Sequence, residues 1–233
     1  GWDCVTVPGA VAGWASMSER FGRLPFADLL QPAIEIAERG YAVPVVVQRK
    51  WAAAAPLLEG QPGYAQAFLP WGRAPRVGEI FRFDAAARTL RLIAQSKGEA
   101  FYCGEIAAAA AAHAREHGAA MTAADFAAYA PEWVTPLAQE CRGGGTLHEI
   151  PPNGQGIAAL IALGILQHFD LHGLAPDSTA AQHLQIEAMK LAFADVYRYV
   201  ADPAGMEVTT AQLLDPAYLA RRATLIDTKR AQD

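Results

Sequence analysis

The chain has 233 residues, 52% of them apolar and 18% charged, which provides for a packed core and excludes a disordered polymer. A net charge of −5 with scattered basic residues leaves no concentrated basic face, so nucleic acid is not an expected partner. No run of about 18 strongly apolar residues supports a membrane span, and membrane is not an expected partner either.

The chain opens on Gly1-Trp2-Asp3-Cys4, with no basic or hydrophobic leader, so no signal peptide is expected. Val7-Pro8-Gly9 reads as a turn. A helix follows to residue 22, with Val11, Trp14, Met17 and Phe21 at helical spacing. Asp28–Arg39 reads as an amphipathic helix carrying Leu29, Ile34 and Ile36, with Gly40 placed for a left-handed cap. A third helix is expected over Pro44–Ala54. Residues 56–80 are rich in proline and glycine but carry Tyr64, Phe68, Leu69 and Trp71, so an ordered loop is expected there. Helices return at Asp84–Ser96 and Gly104–His117, and Thr122 with Asp125 forms a capping box for a short helix to Tyr129.

Strand character is expected only near the middle. Trp133–Glu140 and Thr146–Ile150 flank a Gly-rich turn and suit a hairpin. Pro151 to Gly156 then turn into an apolar helix over Ile157–Phe169. A long helix over Thr179–Tyr199 and a helical tail after Leu213 complete a helix-dominated α+β chain. Residues 1–233 read as a single piece, because a two-stranded hairpin needs a sheet completed by other residues.

Several side chains are candidates for chemistry. His113, Glu116 and His117 spell H-x-x-E-H, a pattern that can hold zinc, yet the segment ends at Gly118, where basic and polar residues of a solvated helix end are ordinary. The second reading is adopted, so no metal ligand and no cofactor is expected. Cys4, Cys103 and Cys141 contain no CxxC pair; their odd number fits a reducing compartment and favours the cytoplasm. Cys141 with His148 reads as a hairpin end rather than a nucleophile and base. On the long helix, Ile186, Met189, Phe193 and Val196 are spaced for one buried face, with Glu187 facing Lys190 and Asp195 facing Arg198. Asn153, Gly154 and Gln155 stand before a helix whose N–H groups attract anions, and are the expected substrate-binding residues.

Beyond these readings the chain resembles the γ-glutamyltransferase family. The resemblance rests on an ordered series: Val5-Thr6-Val7-Pro8-Gly9-Ala10-Val11-Ala12-Gly13-Trp14, Phe21 to Pro25, Leu30 to Ile34, Ala37 to Gly40, Phe101 to Ala107, Asp125 to Tyr129, the Pro151-Pro152 turn, Glu187 to Asp195, and Tyr199 to Pro203. It covers the whole chain and matches the family's large-subunit region. The resemblance implies a partial N-terminal-nucleophile hydrolase of αββα sandwich form, without a cofactor. In such enzymes a precursor cleaves itself and the new N-terminal Thr of a small subunit attacks an amide carbonyl.

The family's nucleophile lies in a segment following this region, and Thr209-Thr210 lacks its flanking residues. Its substrate-carboxylate arginine lies in a segment preceding Val5. No catalytic residue is therefore carried over, and this chain alone is expected to be inactive. The Asn-Gly-Gln turn after His148-Glu149-Ile150 is similar to that of oxamate amidohydrolases and acylase-like members. Expected partners are a small subunit from the same precursor and a small amide or γ-glutamyl substrate. The alternatives are a non-catalytic helical interaction module and a zinc hydrolase.

Overall fold

Pro8 and Gly9 punctuate the chain just ahead of its first α-helix, α1 (Ala10–Phe21). That helix opens the first of two compact units in the computed structural model, which describes residues 2–232; the division falls between Glu132 and Trp133. The first unit continues with α2 (Phe26–Arg39), strand β1 (Tyr41–Ala42), α3 (Val45–Leu58), α4 (Tyr64–Phe68), strand β2 (Ile80–Phe81), α5 (Asp84–Ser96), α6 (Glu99–Tyr102), α7 (Glu105–Glu116) and α8 (Ala123–Ala128).

Helix α2 packs along α5, burying Ile34 with Ala87 and Ala94. A second cluster gathers Val11, Phe26, Ile93, Tyr102, Ala107 and Phe126. The Tyr102 hydroxyl ties the ends of this unit together. It donates to the Pro8 carbonyl at 2.8 Å and accepts from the Ala12 N–H at 3.0 Å. That N–H lies in the first turn of α1, where the helix itself supplies no acceptor. The capping box at α8 is present in both directions: the Asp125 N–H donates to the Thr122 hydroxyl, and the Thr122 N–H donates to the Asp125 carboxylate.

Several expectations change in this unit. Of the predicted α1 stripe only Val11 is buried, while Trp14, Met17 and Phe21 are 48%, 59% and 63% exposed. On α2, Ile34 is buried and Leu29 and Ile36 are exposed. The stretch over 56–80 is more regular than a loop. Helix α3 runs through Pro56 at the loss of one i→i−4 bond, and α4 and β2 follow. Strands β1 and β2 pair antiparallel, Tyr41 opposite Phe81 and Ala42 opposite Ile80, so strand is not confined to the middle of the chain. A ladder of two residues is too short to leave an alternating pattern.

The second unit begins with the predicted hairpin. Strands β3 (Leu137–Cys141) and β4 (Gly145–Glu149) pair from Leu137 opposite Glu149 to Cys141 opposite Gly145, and Gly143 and Gly144 take positive φ in the turn. The ladder starts at residue 137 rather than 133 because Pro136 has no N–H to give it. Helices α9 (Ile157–Leu166), α10 (Thr179–Tyr199), α11 (Thr210–Leu213) and α12 (Pro216–Ala223) complete the unit. Helix α9 is apolar all round and correspondingly buried, packed on α10, α12 and β3; Ile157, Leu160, Ile161 and Ile165 have no exposed surface.

Helix α10 keeps only part of the predicted face: Val196 is buried and Phe193 packs partly buried against the core, but the rest of the face differs. Ile186 and Met189 are 55% and 38% exposed, whereas Leu184, Ala188, Leu191, Ala192 and Val196 are buried together with Glu187 and Asp195. The two alanines let α9 approach, and the carboxylates lie on the inward face because each finds a cation there. Among the described residues, no helix is long and apolar enough to cross a membrane.

Candidate functional site

The turn over 151–156 is built by the end of β4 and the start of α9. Pro152 is buried and anchors it, Gly154 is half-buried, and Asn153 and Gln155 are exposed. Gln155 and Gly156 offer their carbonyls to the Ala158 and Ala159 N–H groups, starting the helix. Glu149, the last residue of β4, lies against this start. A Cβ on Gly156 would meet Glu149 Oε2 at 2.3 Å, so the glycine makes room for the carboxylate. A negative charge beside the first turn of a helix is favourable, because the free N–H ends of that turn carry partial positive charge. The structure thus gives the Asn153-Gly154-Gln155 segment exposed amide groups on a braced turn. Glu149 appeared in the sequence only within the His148-Glu149-Ile150 stretch ahead of the turn, and no role was expected of it.

The second unit also holds two buried carboxylates. Glu187, 1% exposed, accepts from Lys190 Nζ at 2.9 Å and from the Gln232 N–H at 3.2 Å. The Lys190 contact, helped by that N–H, holds its carboxyl below the usual glutamate range. This pair is the one the spacing predicted. Asp195, 4% exposed, does not pair with Arg198 as predicted. Arg222 of α12 grips it in a fork, through Nε at 3.1 Å and the guanidinium end at 2.8 Å, and donates also to the Leu191 carbonyl at 3.0 Å. Arg198 turns outward to Glu207 at 2.8 Å instead. A helix can bring i and i+3 together only on one face, and Asp195 faces α12. Burial, and then hydrogen bonding to Asp195, pushes the neighbouring Tyr218 phenol up to about 12. These groups join α10 to α12, and their carboxylates are fully engaged. They brace the unit rather than meet a substrate.

The remaining candidates lie apart from the turn. In the hairpin register His148 stands opposite Ala138 and Cys141 opposite Gly145, so the thiol and the imidazole are not brought together. His113, Glu116 and His117 are brought together at the end of α7, with one ligand atom of each within 4.8 Å of the others. A recess of about 600 Å3 in the first unit is lined by Trp51, Tyr64, Phe68, Phe81 and Phe83 and offers no charged group for amide chemistry.

The sequence model of the family described as Gamma-glutamyltranspeptidase matches residues 1–233. The Acylase ACY 1 proenzyme of Pseudomonas sp. (strain SE83) is 37% identical over 233 residues, all of this chain and 42% of that protein. The oxamate amidohydrolase proenzyme of Klebsiella pneumoniae subsp. pneumoniae is 35% identical over 230 residues, 96% of this chain and 43% of that protein. Among solved structures, the cephalosporin acylase from Bacillus halodurans superposes with a TM-score of 0.93 at 43% identity, covering 97% of this chain and 43% of that one. The chain therefore spans about two fifths of the length of these relatives.

Proposed function

The chain belongs to the gamma-glutamyltranspeptidase family, and from that premise we propose that the protein carrying it is an amide hydrolase or acyltransferase of the N-terminal-nucleophile type. In this reading residues 1–233 are a single piece of the large-subunit region of a partial αββα sandwich. A small subunit, released from the same precursor, supplies an N-terminal Thr whose hydroxyl attacks the substrate carbonyl, activated by its own α-amine. The precursor form is supported by relatives that are themselves described as proenzymes.

The observation that carries the role of this chain is the turn over 151–156. Its exposed Asn153 and Gln155 amides and the Gly154 backbone stand at the start of a largely buried helix, so their positions are fixed by the core rather than by loop contacts. They form one wall of the substrate pocket. The Asn-Gly-Gln sequence and the acylase and oxamate amidohydrolase relatives favour a small amide over glutathione as the acyl donor.

Surfaces on both units support a covering partner. Trp14, Met17 and Phe21 on α1, and Ile186, Met189 and Tyr197 on α10, are exposed apolar residues that a soluble enzyme usually covers. Among the described residues the β3–β4 hairpin pairs with no third strand, and two strands alone are marginal.

The test is made on the full-length protein. Mass spectrometry of the native material should find a second polypeptide beginning with Thr, and the matured enzyme should turn over oxamate or an acyl amide faster than a γ-glutamyl anilide. A native protein that stays in one piece and hydrolyses none of these amides sinks the reading.

A further inference from the structure

We propose that the end of α7 is a binding site for a divalent ion that favours imidazole, such as Zn2+, Ni2+ or Cu2+, formed by His113, Glu116 and His117. The site is in the first unit and plays no part in the amide chemistry proposed above.

The geometry comes from the helix. Residues four apart lie one above the other on a helix face, and residue 116 adjoins them. His113 is half-buried, and Glu116 and His117 are exposed. One ligand atom from each lies within 4.8 Å of the other two, and the imidazole centroids are 4.2 Å apart. An ion with bonds of about 2.0–2.2 Å to nitrogen and carboxylate oxygen draws its ligands closer than that, which rotation of the exposed Glu116 side chain with small shifts of the rings accomplishes.

A second observation concerns the orientation of His117. Its Nδ1 lies 2.8 Å from the His113 carbonyl. The carbonyl can only accept, so Nδ1 carries the proton and donates; in the neutral ring, the form that binds metal, this leaves the lone pair on Nε2. This is the arrangement in which metal-binding histidines are held: one ring nitrogen donates to a backbone carbonyl and the other faces the ion. The Trp2 ring packs on both imidazoles, edge-on to His113 at 5.6 Å and stacked on His117 at 6.4 Å, which limits their rotation. The histidines and Trp2 line a recess of about 430 Å3 with Val5, Gln61 and Pro62, so there is room for water to complete the ion's coordination.

The donor set decides the ion. Two neutral nitrogens and one carboxylate oxygen suit Zn2+, Ni2+ and Cu2+, whereas Mg2+ and Ca2+ require oxygen ligands. A single carboxylate supplies the charge attraction, and neutral imidazoles supply the selectivity.

The test uses the full-length protein without a polyhistidine tag, stripped with EDTA and titrated with ZnCl2 by calorimetry. One equivalent per chain should bind at this site. His113→Ala and His117→Ala should each weaken it by about tenfold or more, since loss of a ligand costs at least what loss of a ligand's own hydrogen-bond partner costs. Glu116→Gln should weaken it as well. CuCl2 should quench part of the tryptophan fluorescence, and that part should vanish in Trp2→Phe. His117 is exposed, so its variant remains folded even if His113→Ala does not; circular dichroism checks both. No bound zinc, or zinc binding that is unchanged in His117→Ala and in the double variant, overturns the site.

Discussion

Asp195 illustrates how a single side chain settles the joint between two helices. A buried carboxylate in a two-point grip with a guanidinium is strongly coupled, and removing one partner leaves the other charge uncompensated. Asp195→Ala is expected to destabilise the protein by about 3–5 kcal/mol, measured by urea unfolding. Asp195→Leu combined with Arg222→Met should cost less than the single change, because no lone charge remains. Tyr218, beside this pair, predicts an alkaline limit. Its phenol is held up at about 12 in the folded state, against about 10 for an ordinary tyrosine. Its contribution to stability is fully present below the ordinary value and is lost as pH rises through the folded one. The melting temperature should fall across this interval, and Tyr218→Phe should flatten that fall. Neither the Asp195–Arg222 pair nor the half-buried tyrosine was legible in the sequence. Arg222 lies 27 positions from Asp195, and only the tertiary fold chooses it over the adjacent Arg198.

At the scale of elements, α9 and its entry turn carry the second unit. Ile161 has no exposed surface, and Ile161→Ala should cost about 2–5 kcal/mol in chemical unfolding. Gly156→Ala tests the turn more narrowly. The added methyl meets Glu149 along its length, Oε2 at 2.3 Å, Cδ at 2.9 Å and Cβ at 3.3 Å, so the carboxylate swings away and the turn shifts slightly; the expected stability loss is at least the roughly 0.3–1 kcal/mol of a carboxylate at a helix start. In the matured enzyme the displaced turn should raise KM for the amide more than it lowers kcat. Much of this architecture was legible beforehand. The helices over Asp84–Ser96 and Thr179–Tyr199, the capping box and the Gly-rich hairpin all follow from local rules that the fold does not override. What local rules missed depends on the neighbours. The inward face of α10 carries Glu187 and Asp195, which a hydrophobicity count assigns to water, and its small alanines mark close packing more faithfully than its large residues do. The substrate role proposed for Asn153, Gly154 and Gln155 rests on their place at the start of α9, and the expected turn before an apolar helix is what the structure has there.

For the molecule as a whole, the apolar residues left on α1 and α10 and a hairpin with no third strand among the described residues predict that this chain does not live alone. Expressed without the rest of the precursor, the 233-residue chain should self-associate, seen as concentration-dependent mass in light scattering. Expressed with the rest of the precursor, it should yield a discrete heterodimer. A dilute, monodisperse monomer in the first experiment contradicts the covering-partner argument.

The Tyr102 hydroxyl carries a further consequence, one of timing. It closes the first turn of α1 from 90 positions downstream. During synthesis at about 5–20 residues per second, that helix therefore waits roughly 5–20 s for its clasp to emerge. Until then Val11, which packs with Ile93 and Tyr102, lacks its cover, and the first unit cannot close until α6 has been made.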